Sequence, residues 1–243
     1  MKIIVADTYE VLSTQVADDV IPLMGSRSQP VICTASGDSP AGLYREVVRR
    51  TKSNQLNVSD WLFVGLDEWV GMNAHDEGSC RFYLDRELFH PLKIAEHHIC
   101  FFDGRTSQLE MECSRIEDFI KQHGGIDVAI LGLGMNGHIG MNEPGASATS
   151  RSHVTELTET TRKVGQKYFK RPQELTEGIT LGIGTLMQAR HIFLIVSGKH
   201  KAEIVKQVIE DEISEQLPAS LLRKHSSFRI YLDKEAAEKM IQS

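Results

Sequence analysis

The stretch that decides how this chain is read is Gly124-Gly125-Ile126-Asp127-Val128-Ala129-Ile130-Leu131-Gly132-Leu133-Gly134-Met135-Asn136-Gly137-His138-Ile139-Gly140-Met141-Asn142-Glu143-Pro144-Gly145. Its first half, Ile126 to Leu133, is a short β-branched apolar run bounded by glycines, which predicts a strand buried on both faces. The second half cannot continue as a strand. Gly132, Gly134, Gly137 and Gly140 allow positive φ or close approach of a ligand, so a loop is expected at the strand's carboxyl end, carrying Asn136, His138, Asn142 and Glu143. The glycines also imitate a dinucleotide fingerprint, but the helix that fingerprint needs next would run through Gly140 into Pro144. A neutral-pH proton carrier and a carboxylate on one glycine-rich loop, at the sheet edge where open α/β sheets bind ligands, are material for general acid/base chemistry.

Around this stretch, short apolar runs recur at residues 2–5, 31–34, 61–66, 99–102, 192–196 and 228–232. Between them Leu109, Cys113, Ile116 and Ile120 fall at helical spacing, as do Ala202, Val205, Val208 and Ile209. Alternation of this kind predicts a single α/β domain over residues 1–243: an open, mostly parallel, Rossmann-like sheet with helices on both faces. The exception is the long polar segment from Asn142 to Gly178, so a lid is expected over residues 145–178.

Composition bounds the function. A chain of 243 residues, 41% hydrophobic and 25% charged, holds one substantial core. No stretch approaches the ~18 apolar residues of a membrane span, and the start Met1-Lys2-Ile3-Ile4-Val5-Ala6-Asp7 is strand-like rather than a signal peptide, which predicts a cytoplasmic protein. The formal charge of -6 with no basic run argues against nucleic acid or membrane surfaces as partners, so an anionic substrate has to be held by local donors. Cys33, Cys80, Cys100 and Cys113 are scattered without a C-x-x-C pair, implying core thiols and neither a metal site nor a disulfide framework.

Three further strand ends carry chemistry. Ser36-Gly37-Asp38-Ser39-Pro40 enters a helix expected to have Pro40 at its first position; it reads either as an anion cradle of free amides and hydroxyls or as an ordinary start capped by Ser39. Asp38 opposes a phosphate there unless its carboxylate points away. Leu66-Asp67-Glu68-Trp69 places two carboxylates after a buried strand; adjacent side chains point to opposite sides, so only one of Asp67 and Glu68 is expected in the cleft. Ser197-Gly198-Lys199-His200-Lys201 begins another helix, where Lys201 stands against the dipole and wants an anionic partner.

With these residues in view, the chain resembles the glucosamine-6-phosphate deaminase/isomerase family over nearly its whole length. The resemblance rests on Ser36-Gly37-Asp38-Ser39-Pro40 with Leu43-Tyr44, on Leu66-Asp67-Glu68-Trp69-Val70-Gly71, on Gly132 to Gly145, on Ser150-Arg151-Ser152-His153 through Thr161-Arg162, and on Thr180 to Thr185 with Ser197-Gly198 to Lys201-Ala202. The sister 6-phosphogluconolactonases share the fold but typically lack Asn-Glu-Pro, present here as Asn142-Glu143-Pro144. The resemblance implies deamination and isomerisation of an amino-sugar 6-phosphate without cofactor or metal, in a monomer or small homo-oligomer. It implies Asp67 as the base, His138 with Glu143 as the ring-opening pair, and Asn136 as the orienter of His138. Ser36, Gly37, Asp38, Ser39, Lys167 and Lys201 would hold the phosphate, with Glu68 and Gly137 also on the substrate side. Lys167 stands where the family usually has Arg, and Asn136 where many members have Asp. His153 and Thr155 stand where the family's effector site is basic, so allosteric activation is not expected. Trp69 and Gly78-Ser79-Cys80 resemble a galactosamine-6-phosphate branch, the Ser150 to His153 block the glucosamine branch. A non-catalytic sugar-phosphate sensor is the third reading; it calls for a DNA-binding module, and the chain opens directly on a core strand.

Overall fold

The computed structural model describes residues 1–240. Its main sheet has seven strands, all parallel, in the order β1-β10-β9-β6-β2-β3-β5. These are β1 (Lys2–Ala6), β2 (Val31–Thr34), β3 (Leu62–Gly65), β5 (Ile99–Cys100), β6 (Val128–Gly132), β9 (His191–Val196) and β10 (Phe228–Asp233). Each falls within or against one of the apolar runs. From β2 the chain builds outward through β3 to β5, and from β6 it builds the other way through β9 to β10. The order therefore reverses between β2 and β6, and a crevice opens there at the carboxyl ends.

Strand alternation divides the core. Ile32, Phe63, Val128, Ile130, Phe193, Ile195 and Tyr231 face α1 (Tyr9–Met24) and α2 (Asp38–Lys52), along with α3 (Cys80–Leu84), which continues through a π turn at Asp85–Phe89 into α4 (His90–Leu92). Val31, Cys33, Val64, Ala129, Leu131, Ile192 and Leu194 face α5 (Leu109–Gln122), α8 (Ala202–Glu210) and α9 (Pro218–Leu221). The expected helices at Leu109 to Ile120 and at Ala202 to Ile209 are thus α5 and α8, their apolar stripes buried against this second face. Each β-branched side chain on a doubly buried strand removes apolar area from water at about 25 cal/mol per Å2.

A second sheet was not expected. β4 (Asp67–Trp69), β8 (Glu177–Thr180) and β7 (His153–Glu156) pair antiparallel in the order β4-β8-β7. The sheets join at Leu66, whose amide donates to Thr34 O (3.1 Å) and whose carbonyl accepts from Leu181 N (2.9 Å). The polar segment expected as irregular lid contains β7 and α6 (Glu159–Gly165), and Leu157, Thr161 and Leu175 are buried. Another short helix, α7 (Ile183–Leu186), follows β8.

Candidate active site

At the reversal point lies a cavity of about 310 Å3. Its wall comes from the turn after β2, from β4, from the loop after β6, from α6 and from the turn after β9.

The loop after β6 forms no helix; the chain makes turns until β7, which removes the dinucleotide reading on geometry. Gly134 is required where it stands, because a Cβ there would fall 2.4 Å from ring atoms of His138. Gly137 turns at φ +82, and a Cβ would meet Leu217 at 2.2 Å. These two glycines fold the loop back so that His138 enters the cavity. The His138 Nδ1 lies 3.1 Å from Thr161 Oγ1 and 3.6 Å from Glu143 Oε2. Glu143 is 6% exposed and accepts from Asn136 Nδ2 (2.8 Å), Thr158 Oγ1 (3.1 Å) and Thr158 N (3.3 Å). Burial alone would raise its carboxyl, but the hydrogen bond and charge of His138, with Thr161 and Asn136, hold it down to about 2. Glu143 is a permanent anion behind the imidazole.

Asn136 does this work differently from expectation. Its side-chain amide spends its donors on Glu143 and on Thr158 Oγ1 (3.1 Å), and its oxygen accepts the backbone N–H of His138 (3.2 Å). It therefore orients Glu143 and the loop backbone, while Thr161 and Glu143 orient the ring. Thr158 and Thr161 were missed as site residues. Their signal is the Thr-x-x-Thr spacing: Thr158 caps α6 by accepting from Thr161 N (3.3 Å), which brings both hydroxyls to one end of the helix.

Across the cavity stands β4. Alternation places Asp67 and Trp69 on the cavity side and Glu68 beneath them, fully buried. Burial pushes the Asp67 carboxyl up to about 6, against the opposing pull of the Cys80 thiol and of His138. Glu68 does not line the cavity; it belongs to the packing behind it, where its carboxylate accepts three backbone N–H groups. Trp69 lines the cavity beside Gly165, where a Cβ would lie 2.9 Å from the indole. Cys80, read as a core thiol, is buried and also lines the cavity.

At the end of the cavity expected to take the anion, Ser36, Gly37, Asp38, Ser39, Lys167, Gly198, His200 and Lys201 all line the wall. The helix after β2 starts at Asp38, not at Pro40; Gly37 is the N-cap at φ +105 with no side-chain cap, so the first amides of α2 stay free toward the cavity. Asp38 points out, 78% exposed at its side chain, and pairs with Lys167 at 2.7 Å. The Lys201 Nζ donates to Leu133 O at 2.6 Å. Burial, reinforced by the neighbouring charge of Lys167, lowers its pKa to about 8. Gly137 and Asn136 support the loop from behind rather than lining the cavity. Among the described residues no group of three or more His, Cys, Asp or Glu side chains is placed to hold a metal ion, and no helix is long and apolar enough to cross a membrane.

Residues 6–231 match the family model of glucosamine-6-phosphate isomerases/6-phosphogluconolactonase. The chain is 36% identical over 239 residues to a glucosamine-6-phosphate deaminase of Oceanobacillus iheyensis, covering 98% of this chain and 96% of that one. It is 37% identical over 240 residues to glucosamine-6-phosphate deaminase 1 of Bacillus subtilis, covering 98% of each. A solved structure of a monomeric glucosamine-6-phosphate deaminase superposes with a TM-score of 0.95 at 36% identity, covering 98% of this chain and 100% of that one. The 6-phosphogluconolactonase of Trypanosoma brucei, at 23% identity and a TM-score of 0.77 over 99% and 98% of the two chains, shares the fold.

Proposed function

Because the chain belongs to the glucosamine-6-phosphate isomerase/6-phosphogluconolactonase family, we propose that it converts an amino-sugar 6-phosphate and water to the ketose 6-phosphate and ammonia. The observation that carries this reading is the facing pair of acid/base groups: buried Asp67 on one wall, and on the other His138 backed by Glu143, Asn136, Thr158 and Thr161. Two opposed groups suit a reaction that must first open a ring and then move a proton between adjacent carbons. In this reading His138, with Glu143 behind it, shuttles the proton that opens the pyranose to the aldehyde. Asp67 removes the C2 proton, giving an enolamine, and returns a proton to C1. The resulting imine takes up water and releases ammonia. The free amides of α2, the Ser36 and Ser39 hydroxyls, Lys167 and Lys201 hold the phosphate, a dianion matched by charge-assisted donors.

Glucosamine 6-phosphate is the preferred substrate in this reading, supported by the names of relatives that are 36–37% identical over 98% of the chain. Galactosamine 6-phosphate is the second reading, and what favours it is Trp69 with Cys80, which resemble that branch and both line the cavity. The epimers differ at one hydroxyl, so discrimination requires a polar partner that only one of them satisfies. We also propose that the chain works as a monomer, as the superposed deaminase is described, and that the segment within residues 145–178 that carries Lys167 closes the mouth over bound sugar. Ammonia release from each hexosamine 6-phosphate, with kcat/KM compared between them, tests the reading. Ammonia from neither, together with hydrolysis of 6-phosphogluconolactone, would replace it with the lactonase.

A further inference from the structure

The turn that enters α2 is held by tyrosines. The Tyr44 hydroxyl donates to Ala35 O (2.6 Å) and the Tyr83 hydroxyl to Gly37 O (2.8 Å). The Tyr9 hydroxyl donates to Asp38 O (2.6 Å), lies 3.0 Å from Ser39 O and accepts from Gly42 N (2.7 Å). Room for that ring depends on Gly42, where a Cβ would fall 3.0 Å from Tyr9 Cζ and 1.9 Å from Ser13 Oγ. The three donors come from α1, α2 and α3, so the packing of one helix does not by itself bring them to one turn. Every peptide here is trans, so a carbonyl and the N–H of the next residue leave one plane in opposite directions. Anchoring Ala35 O, Gly37 O and Asp38 O therefore sets the directions of Ser36 N–H, Asp38 N–H and Ser39 N–H. None of those three amides has an acceptor among the described residues, and all three residues line the cavity, at the end shared by Lys167 and Lys201. Burial raises the three phenols above the ordinary tyrosine range, so each keeps its proton and stays a donor.

We propose that Tyr9, Tyr44 and Tyr83 are positioning residues for the phosphate of the substrate: by holding three carbonyls of the turn, they converge the Ser39, Ser36 and Asp38 amides on one anion. The identity of the anion rests on the proposed deaminase reading; the anchoring itself rests on the hydrogen bonds. A hydroxyl on the far side of a peptide also polarises it, so the series from phenol through peptide to phosphate oxygen strengthens as a whole. Amides set in advance bind without first having to be ordered, which is where an unanchored glycine turn loses affinity. One amide of the turn is an internal reference. Gly37 N–H shares its peptide with Ser36 O, which no tyrosine holds.

The test is a titration with inorganic phosphate, followed by amide NMR in wild type, Tyr9→Phe, Tyr44→Phe and Tyr83→Phe, each of which removes one oxygen and keeps the ring. In wild type, phosphate is expected to move the Ser36, Asp38 and Ser39 amide protons downfield. Each substitution weakens phosphate binding about threefold to tenfold. Each also shrinks the response of its own amide: Ser39 in Tyr9→Phe, Ser36 in Tyr44→Phe, Asp38 in Tyr83→Phe. The Gly37 response stays as in wild type. A role confined to packing would lower the melting temperature without this pairing. Tyr44 is fully buried; should Tyr44→Phe fail to fold, the half-buried Tyr9 and Tyr83 decide. With a hexosamine 6-phosphate that wild type deaminates, kcat/KM falls by the same factor, through KM. A wild type that binds phosphate on these amides yet releases no ammonia would end the deaminase reading and leave the anchoring standing. Wild-type amides that ignore phosphate, phosphate affinity unchanged in Tyr9→Phe or Tyr83→Phe, or losses spread over the amides whichever tyrosine is changed, would each overturn the proposal.

Discussion

A carboxylate 9% exposed in the cavity wall, its pKa raised by burial to about 6, is held close to the pH at which, as the proposed base, it accepts a proton. Asp67→Asn is therefore expected to lower kcat by ~10²–10⁴-fold while binding of the sugar phosphate changes little. Steady-state kinetics with direct binding of a ketose 6-phosphate checks this, and full activity would remove Asp67 from the mechanism. The pH dependence follows with its sign. The base acts when ionised, so kcat/KM rises as pH passes the Asp67 value of about 6. In the proposed reading Lys201 binds phosphate when protonated, so kcat/KM is expected to fall as pH passes about 8. Glu143, held at about 2, is ionised across that window and contributes neither limb. A bell with limbs near 6 and 8 is the expected profile for the free enzyme; a profile flat below 6 would be incompatible with Asp67 as base. At this scale the sequence was legible where residue type and local spacing coincide. His138 and Glu143 are five positions apart on a glycine loop, and Asp67 ends a strand. It was illegible for partners across the fold: the amide of Asn136 turns to Glu143 rather than the ring, and Thr158 and Thr161 arrive from 15 and 23 positions away from the groups they hold.

Among the elements, the loop after β6 depends on absent side chains more than on present ones. Gly134→Ala leaves the backbone unstrained but sets a methyl 2.4 Å from the His138 ring, and the ring is the part free to move. We expect a loss of about tenfold or more in kcat, since small displacements of a proton carrier are costly, with a melting temperature close to wild type. Activity near wild type would mean that His138 need not sit where this loop puts it. The seven strands of the main sheet were readable because parallel strands buried on both faces are continuous apolar runs. The second sheet was not. β7 is the partly exposed His153-Val154-Thr155-Glu156, and β8 carries Gly178 between Glu177 and Ile179, where a Cβ would collide with Met141 Sδ at 1.9 Å. Neither is apolar enough or long enough to announce a strand, and what makes them strands is the pairing of β8 with β4 and of β7 with β8, over distances in sequence that no local pattern encodes. The start of α2 shows the reverse: Pro40 suggested its own position as the first of the helix, and Gly37 at φ +105 let the chain turn in two residues earlier.

For the whole molecule, the reversal of strand order brings four separate segments to the proposed anion site: the turn after β2, the loop after β6, the turn after β9 and the residues following α6. A phosphate seated there bridges four segments that come together only in the folded chain, so it binds the folded chain and not the unfolded one. Binding of that kind stabilises by mass action. Fructose 6-phosphate, which without ammonia has no forward reaction to complete, at about 100 times its Kd should contribute ~2.7 kcal/mol and raise the melting temperature by roughly 5–10 °C for a chain of this size. Lys201 is the most buried cation of the site, and its loss removes a charge-assisted contact of ~1.5–3 kcal/mol, weakening binding about tenfold to a hundredfold. At the same ligand concentration Lys201→Ala should then retain only ~0.4–1.4 kcal/mol of the stabilisation. Lys167 is half exposed and already paired with Asp38, so Lys167→Ala should cost less. Thermal scans of the three proteins with and without the ketose phosphate measure this ordering. An equal rise in all three would place the phosphate outside the crevice between β2 and β6, and with it the reaction.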